Sequence, residues 1–210
     1  MKIETIKCIF SGLAYPYIPV LTIVNRRCDM VKPVGPLMIE HRLIERMISV
    51  MDNEMKRLEK GGEPDPAFIE TAVGFIRNYA DRCHHGKEED ILFRDLKSVD
   101  MREHDDKVMK ELIVEHEWAR DTTGKLVKAK EDYVRGVDGA VDRIIKMMGE
   151  LVTFYPQHIE KEDKDFFPAS MQYLDEQEEQ EMLEEEYEFD KNFIHVLYKD
   201  IVEDAENRFK

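Results

Sequence analysis

Two stretches of the chain place imidazole and carboxylate groups at a spacing that can do metal chemistry. "HHGKEEDILF" runs from His84 to Phe93 and "HIEKEDKDFFP" from His158 to Pro168, and each carries His-x-x-x-Glu ahead of an apolar patch with an aromatic residue. Residues four apart on a helix project from one face with Cβ atoms about 5–6 Å apart. His84 with Glu88, and His158 with Glu162, can therefore each contribute to one compact inward-facing site. Carboxylates buried without a partner are costly, so two of them in one core imply a cation. Two bridging carboxylates can hold two metal ions, with a pair of histidines completing each. Imidazole plus carboxylate suits iron, manganese or zinc rather than calcium or copper(I), and the lack of thiolate ligands argues against a structural zinc site.

The second pair of histidines comes from an internal echo. His41 sits in "MIEHRLIER" and His116 in "IVEHEWAR", so the chain repeats Glu-His followed by an arginine at an interval of about 75 residues. His41 precedes His84 by 43 residues and His116 precedes His158 by 42. His85 and Glu89 duplicate the His84–Glu88 spacing one position on. Aligning "EEDILF" with "EDKDFF" selects His84 and Glu88, which leaves His85 and Glu89 as an expected helix-surface pair. Glu45, four residues after His41, is expected on the surface or behind a ligand. His104 and His195 have no partner at ligand spacing and read as ordinary surface or packing residues. Cys83 reads as a small buried hydrophobe, and Tyr155 either hydrogen-bonds the site or packs. Ferritin-like di-iron sites need Glu-x-x-His, and no histidine here has a glutamate three positions before it.

Helices must position these groups. Leu37, Ile44, Met47, Ile48, Met51, Met55 and Leu58 recur at three- and four-residue steps, and "KGGEPDP" closes that segment with glycine and proline signals. Further helices are expected from about 66 to 95, 105 to 132 and 137 to 163, the last kinked at Pro156, which lacks a backbone donor. Four long amphipathic helices with short connections make an all-α antiparallel four-helix bundle. Asp175 and Glu178 form a capping box that opens an additional C-terminal helix. Met182, Leu183, Phe189, Phe193, Val196 and Leu197 give it an apolar stripe, and its glutamates read as a solvated face.

The whole chain sets bounds on partners. Its 210 residues suit one domain with a short appendage, and hydrophobic residues at 42% with charged residues at 37% are globular values. A net charge of -15 without a basic patch disfavours nucleic acid and anionic membranes. Cys8, Cys28 and Cys83 form no paired motif, which favours a cytoplasmic location. The apolar run "CIFSGLAYPYIPVLTIV" is broken by Gly12, Pro16 and Pro19 and falls short of a membrane span. The chain is accordingly divided into an N-terminal extension at 1–29, with Met30 as the expected natural start, a bundle at 30–168 and a docked helix at 169–210.

Together, "PLMIEHRLIERM", "HHGKEEDILF", "EHEWAR" and "YPQHIEKEDKDFFP" resemble the hemerythrin-like, HHE cation-binding family across about residues 36–168. The resemblance implies an up-down-up-down bundle around a non-haem centre of two Fe ions joined by an oxo or hydroxo bridge. Its ligand positions carry over to His41, His84, Glu88, His116, His158 and Glu162. Oxygen-carrying members place a second histidine four residues along the third helix, where this chain has Arg120. Their fourth-helix carboxylate is an aspartate five residues after the histidine, which would be Asp163 here, but the match to Glu88 selects Glu162. A set of four histidines and two glutamates is similar to that of the iron-centre repair members, whose paired-cysteine N-terminal domain Cys8 and Cys28 do not match. The resemblance implies reaction with O₂, nitric oxide or peroxide in sensing, detoxification or iron-centre repair, with an unidentified electron donor and an oxidoreductase role left open. The alternatives are a non-catalytic O₂- or iron-binding or storage protein and a zinc-braced interaction module.

Overall fold

The structure is a computed structural model that describes residues 31–207. The N-terminal segment, with Cys8, Cys28 and Met30, lies outside the described residues. Five long helices follow in order: α1 (Val34–Glu59), α2 (66–96), α3 (Glu103–Val134), α4 (140–170) and α5 (Glu176–Asn207). Among the described residues there is no strand.

Local chemistry sets the helix ends. Asp65 accepts from the backbone N–H of Ala67 at 2.9 Å and Pro66 takes the first helical position, so α2 begins where its unpaired donors are satisfied. The chain leaves α1 through Gly61 at φ 89° and turns between α3 and α4 through Gly136 and Gly139 at φ 73° and 70°, conformations that only glycine adopts without strain. Asp175 accepts from the backbone N–H of Glu178 at 2.9 Å while Glu178 accepts from that of Asp175 at 2.8 Å, the reciprocal box expected for α5.

α1 packs on α4, α4 on α3 and α3 on α2, while α2 also contacts α1, so these four helices form a helical bundle. Its apolar interior has two parts. One is built from Ile44, Met51, Ile69, Leu126, Ile144 and Leu151, and the other from Leu37, Leu92, Phe93, Leu112, Phe166 and Phe167. Between them each helix changes from apolar to ionisable inward residues. α4 runs on through Pro156 and past the expected end at 163, because Phe166 and Phe167 are fully buried and hold its last turns in the second cluster.

Two helices leave α geometry beside the ionisable layer. Ile76–His85 and Glu88–Leu92 in α2, and Glu162–Phe166 in α4, have π-helical i→i+5 hydrogen bonding. Such irregularities concentrate at functional sites. α5 packs on α2 and buries Met182, with Phe189 half-buried against the second cluster. Its glutamates are not all solvated. Glu179 is buried and paired with Lys32, and Glu186 is buried without a partner, its carboxyl pushed up to about 8 by burial.

Leu92→Ala leaves a void in the second cluster, so denaturant unfolding should register a loss of about 2–5 kcal/mol. Asp65→Ala, which removes only a cap, should cost about 1 kcal/mol. Equal losses from the two variants would contradict this placement of the core.

Candidate metal centre

The ionisable layer contains five buried histidines and two fully buried glutamates. His41 on α1, His84, His85 and Glu88 on α2, His116 on α3, and His158 and Glu162 on α4 are each no more than 2% exposed. His41 and His84 lie with ring centroids 4.5 Å apart on one side, and His116 and His158 lie 5.0 Å apart on the other.

Each glutamate faces both pairs. Glu88 directs Oε1 toward His84 Nε2 at 3.7 Å and Oε2 toward His116 Nε2 at 3.4 Å. Glu162 directs Oε1 toward His158 Nε2 at 3.1 Å and His116 Nε2 at 3.6 Å, and Oε2 toward His41 Nε2 at 3.2 Å. None of these four Nε2 atoms or four carboxylate oxygens has a hydrogen-bond partner. Buried polar atoms are almost always satisfied, so a convergent set of orphans at the centre of a bundle is matched to a ligand. Imidazole nitrogen with carboxylate oxygen is the donor set of a borderline metal ion. His41, His84, Glu88 and Glu162 can gather one donor atom each within 4.8 Å, and so can His85, His116 and His158.

The outer nitrogens of His41, His84, His116 and His158 are held. His84 Nδ1 lies 2.9 Å from Glu40 and His158 Nδ1 lies 2.8 Å from Glu115. Lys87 clamps Glu40 and Lys161 clamps Glu115, so the same Glu–His–Lys arrangement occurs in both halves. His41 Nδ1 meets Asp163 at 2.7 Å and His116 Nδ1 meets Glu89 at 2.6 Å, with Arg42 and Arg120 on the respective carboxylates. A carboxylate on Nδ1 fixes the tautomer with its lone pair on the inward Nε2, as metal-ligating histidines require.

Electrostatics without a cation reveal the same demand. Burial, with the Glu162 charge beside it, raises the Glu88 carboxyl well above the usual range. Burial acts on Glu162 in the same direction, but the neighbouring imidazoles, His158 foremost, hold it well below that range. The pair therefore keeps a proton on Glu88 and a charge on Glu162. Burial lowers His84, whereas for His158 the Glu162 charge overcomes burial and lifts it to about 9. A cation bound among them must displace these protons.

A cavity of about 80 Å³ adjoins the layer. Asp81, His85, Arg120, Thr123 and Tyr155 line it, and the buried hydroxyls of Thr123 and Tyr155 have no partner. Its size suits a molecule of a few atoms.

The six residues singled out from the sequence, His41, His84, Glu88, His116, His158 and Glu162, are brought together here. His85 is a correction, because it is buried and stacks on His116 with ring centroids 3.8 Å apart instead of lying on the surface. Glu89 is partly buried and holds His116, so it does not pair with His85 on the surface. Glu40 and Glu115 were missed as supports, although the repeated Glu-His dipeptide was their signal. Glu45 pairs with Arg42 at the surface, and His104 is exposed beside Asp165. The His195 side chain lies outside the described residues. Cys83 is buried 3.4 Å from Asp190, and burial pushes its thiol up to about 12. Glu40, Cys83 and Asp190 could also gather round an ion, but Lys87 Nζ already sits on Glu40 and on Asp190 at 2.8 Å.

The family model of the hemerythrin HHE cation binding domain matches residues 32–170. The chain belongs to the hemerythrin HHE cation-binding family. Searches of curated proteins and of solved structures found no match. The matched residues run from just before α1 to the end of α4, and so contain the whole ionisable layer. Among the described residues no helix is long and apolar enough to cross a membrane.

Glu115→Gln removes the charge behind His158 without touching the inward layer. Metal affinity, measured by competition with a chelator, should fall about 10- to 100-fold while the fold is retained, and an unchanged affinity would contradict the supporting role. Because Glu88 and His158 must give up protons, affinity should rise with pH up to about 9. Metal added in weak buffer should release protons.

Proposed function

We propose that this chain is a non-haem di-iron protein in which His41 and His84 serve one ion, His116 and His158 the other, and Glu88 and Glu162 bridge the two. The observation that carries this reading is that each glutamate presents one oxygen toward each histidine pair. A single ion would leave half of those donors unused. In this reading α1–α4 form an up-down-up-down antiparallel bundle at 30–168, supported by connections at 60–65, 97–102 and 135–139 that are too short to cross its length. Residues 169–210 dock on it, and residues 1–29 are an extension that adds no ligand.

Two irons joined by an oxo or hydroxo bridge would supply redox reactivity toward O₂, nitric oxide or peroxide. The protein residues do the rest. Glu40, Glu115, Glu89 and Asp163 hold the imidazoles in their coordinating tautomer. The two apolar clusters exclude bulk water above and below the layer. The cavity beside His85 offers a small molecule a place next to the centre, which suits a reactive site better than a closed structural one. The setting we propose is cytoplasmic, with a small gaseous or peroxidic ligand and a separate electron donor, and without nucleic acid or membrane. Sensing, detoxification and iron-centre repair all fall within it, including an oxidoreductase that reduces nitric oxide or peroxide.

The second reading is a non-catalytic O₂- or iron-binding or storage protein, or a zinc-braced module. Protein made with iron should contain close to two equivalents and show visible charge-transfer absorption, both lost in Glu88→Ala and Glu162→Ala. Colourless protein holding zinc would favour the brace. Stopped-flow mixing of the reduced protein with O₂ and with nitric oxide should give fast irreversible oxidation or nitrous oxide. A stable reversible O₂ adduct with no nitrous oxide would point to the carrier.

A further inference from the structure

The supports of His84 and His158 share a glutamate and a lysine, and differ in what completes them. Lys161 sits on Glu115 and lies 3.6 Å from Glu111, both on α3. Lys87 sits on Glu40, but the position 75 residues before Glu111, where a second carboxylate would stand, is Pro36. The second carboxylate comes from α5, whose Asp190 lies 2.8 Å from Lys87 Nζ. α5 begins at Glu176, beyond the residues 32–170 that the family model matches, so this support enters the centre from outside the matched domain.

The outer face of α2 is shaped for that helix. Cys83, Gly86 and Lys87 lie there, and the matching positions of α4 are Gln157, Glu160 and Lys161. Gln157 and Glu160 are exposed and Lys161 keeps 29% of its side chain in solvent. Cys83, by contrast, is buried and donates to Asp190 at 3.4 Å, and no part of the Lys87 side chain is exposed. A Cβ at Gly86 would stand 2.9 Å from the ring of Phe189, so the lack of a side chain there lets α5 come this close.

A lysine ammonium shut off from water depends wholly on its partners. With Asp190 in place the Lys87 charge is divided between two carboxylates, and Glu40 keeps its capacity to accept from His84 Nδ1 at 2.9 Å. Without Asp190 that charge falls on Glu40 alone and weakens its hold on His84. Lys161 has no such dependence, because solvent reaches it. Docking of α5 is also opposed from within, since Glu186, one turn before Asp190, is buried without a partner. The Asp190–Lys87 pair therefore matters more to the seating of α5 than an exposed pair such as Arg94–Glu185.

We infer that Asp190 is a positioning residue of the metal centre: through Lys87 and Glu40 it fixes His84, so that docking of α5 and iron binding at the His41/His84 position reinforce each other. This rests on the two-ion reading above. Such coupling is reciprocal, so iron that binds better when α5 is seated must itself seat α5 by the same factor. The state of the centre is thereby displayed at the surface as the docking of a helix that holds no metal.

The test uses the full chain as wild type, Asp190→Asn and Glu185→Gln. Glu185 pairs with Arg94 on the exposed side of α5, so its variant loosens the same helix and removes the same charge without touching Lys87. A ferrous chelator added to the reduced, iron-loaded proteins should take one of the two irons from Asp190→Asn about 10-fold faster than from wild type, with the second unchanged. Glu185→Gln should release iron as wild type does. Hydrogen exchange of the α5 amides reads the reverse direction. Iron should slow it about 10-fold in wild type relative to the metal-free chain, and should leave it unchanged in Asp190→Asn. The wild-type comparison needs no variant, so it decides the matter even should Asp190→Asn fold poorly. Equal iron release from Asp190→Asn and wild type, wild-type α5 exchange indifferent to iron, or the same effects in Glu185→Gln would each overturn the role of Asp190. Fewer than two irons in wild type would instead overturn the two-ion reading, and the exchange comparison would still decide on Asp190.

Discussion

Glu88 and Glu162 are fully buried together in the middle of a bundle, and none of their four oxygens has a hydrogen-bond partner. Like charges in that position cannot both persist, so one carboxyl takes a proton when no cation is near. The neighbouring imidazoles, His158 foremost, relieve it for Glu162 alone. The lysines and arginines of the site sit one layer further out, on Glu40, Glu115, Glu89 and Asp163, and none reaches the inner pair. The arrangement is costly as an apolar core and sensible as a cage for positive charge.

The rest of the architecture follows from making that cage rigid. Two apolar clusters close it above and below, and the helices that carry it need only short turns. The imidazoles of His41, His84, His116 and His158 are each fixed by a carboxylate, and that carboxylate by a lysine or arginine, so their ring orientation is set from outside the layer. The departures from α geometry in α2 and α4 fall where the inward residues are crowded. The pairing of Glu40–His84–Lys87 with Glu115–His158–Lys161 makes the centre an internally duplicated device, and the duplication is broken where His85 stands against Ile159, Asp81 against Tyr155 and Arg120 against Glu45.

The helices were legible because amphipathic periodicity, glycine exits and the Asp175–Glu178 box are local signals. His84, Glu88, His158 and Glu162 were legible because a four-residue spacing has a direct geometric meaning on a helix. His85 was not, because the spacing argument assumes α geometry and places a neighbour about 100° away. A π-helical stretch removes that assumption and leaves no mark in composition. The end of α4 lies beyond the expected 163 because Phe166 and Phe167 are buried in the second cluster, a partnership that local sequence does not display. Glu186 was read as solvated from the charge run around it, whereas its burial depends on where α5 docks. The supports Glu40 and Glu115 were hidden in plain view, because long-range partners cannot be assigned until the helices are set side by side.

The central claim is that Glu88 and Glu162 each touch two metal ions. Anomalous diffraction at the iron absorption edge, from crystals of the iron-loaded full chain, addresses it directly. The account predicts two peaks about 3.5–4 Å apart, each flanked by one oxygen of Glu88 and one of Glu162. A single peak bound by both glutamates, or iron located instead at Glu40, Cys83 and Asp190, would contradict it.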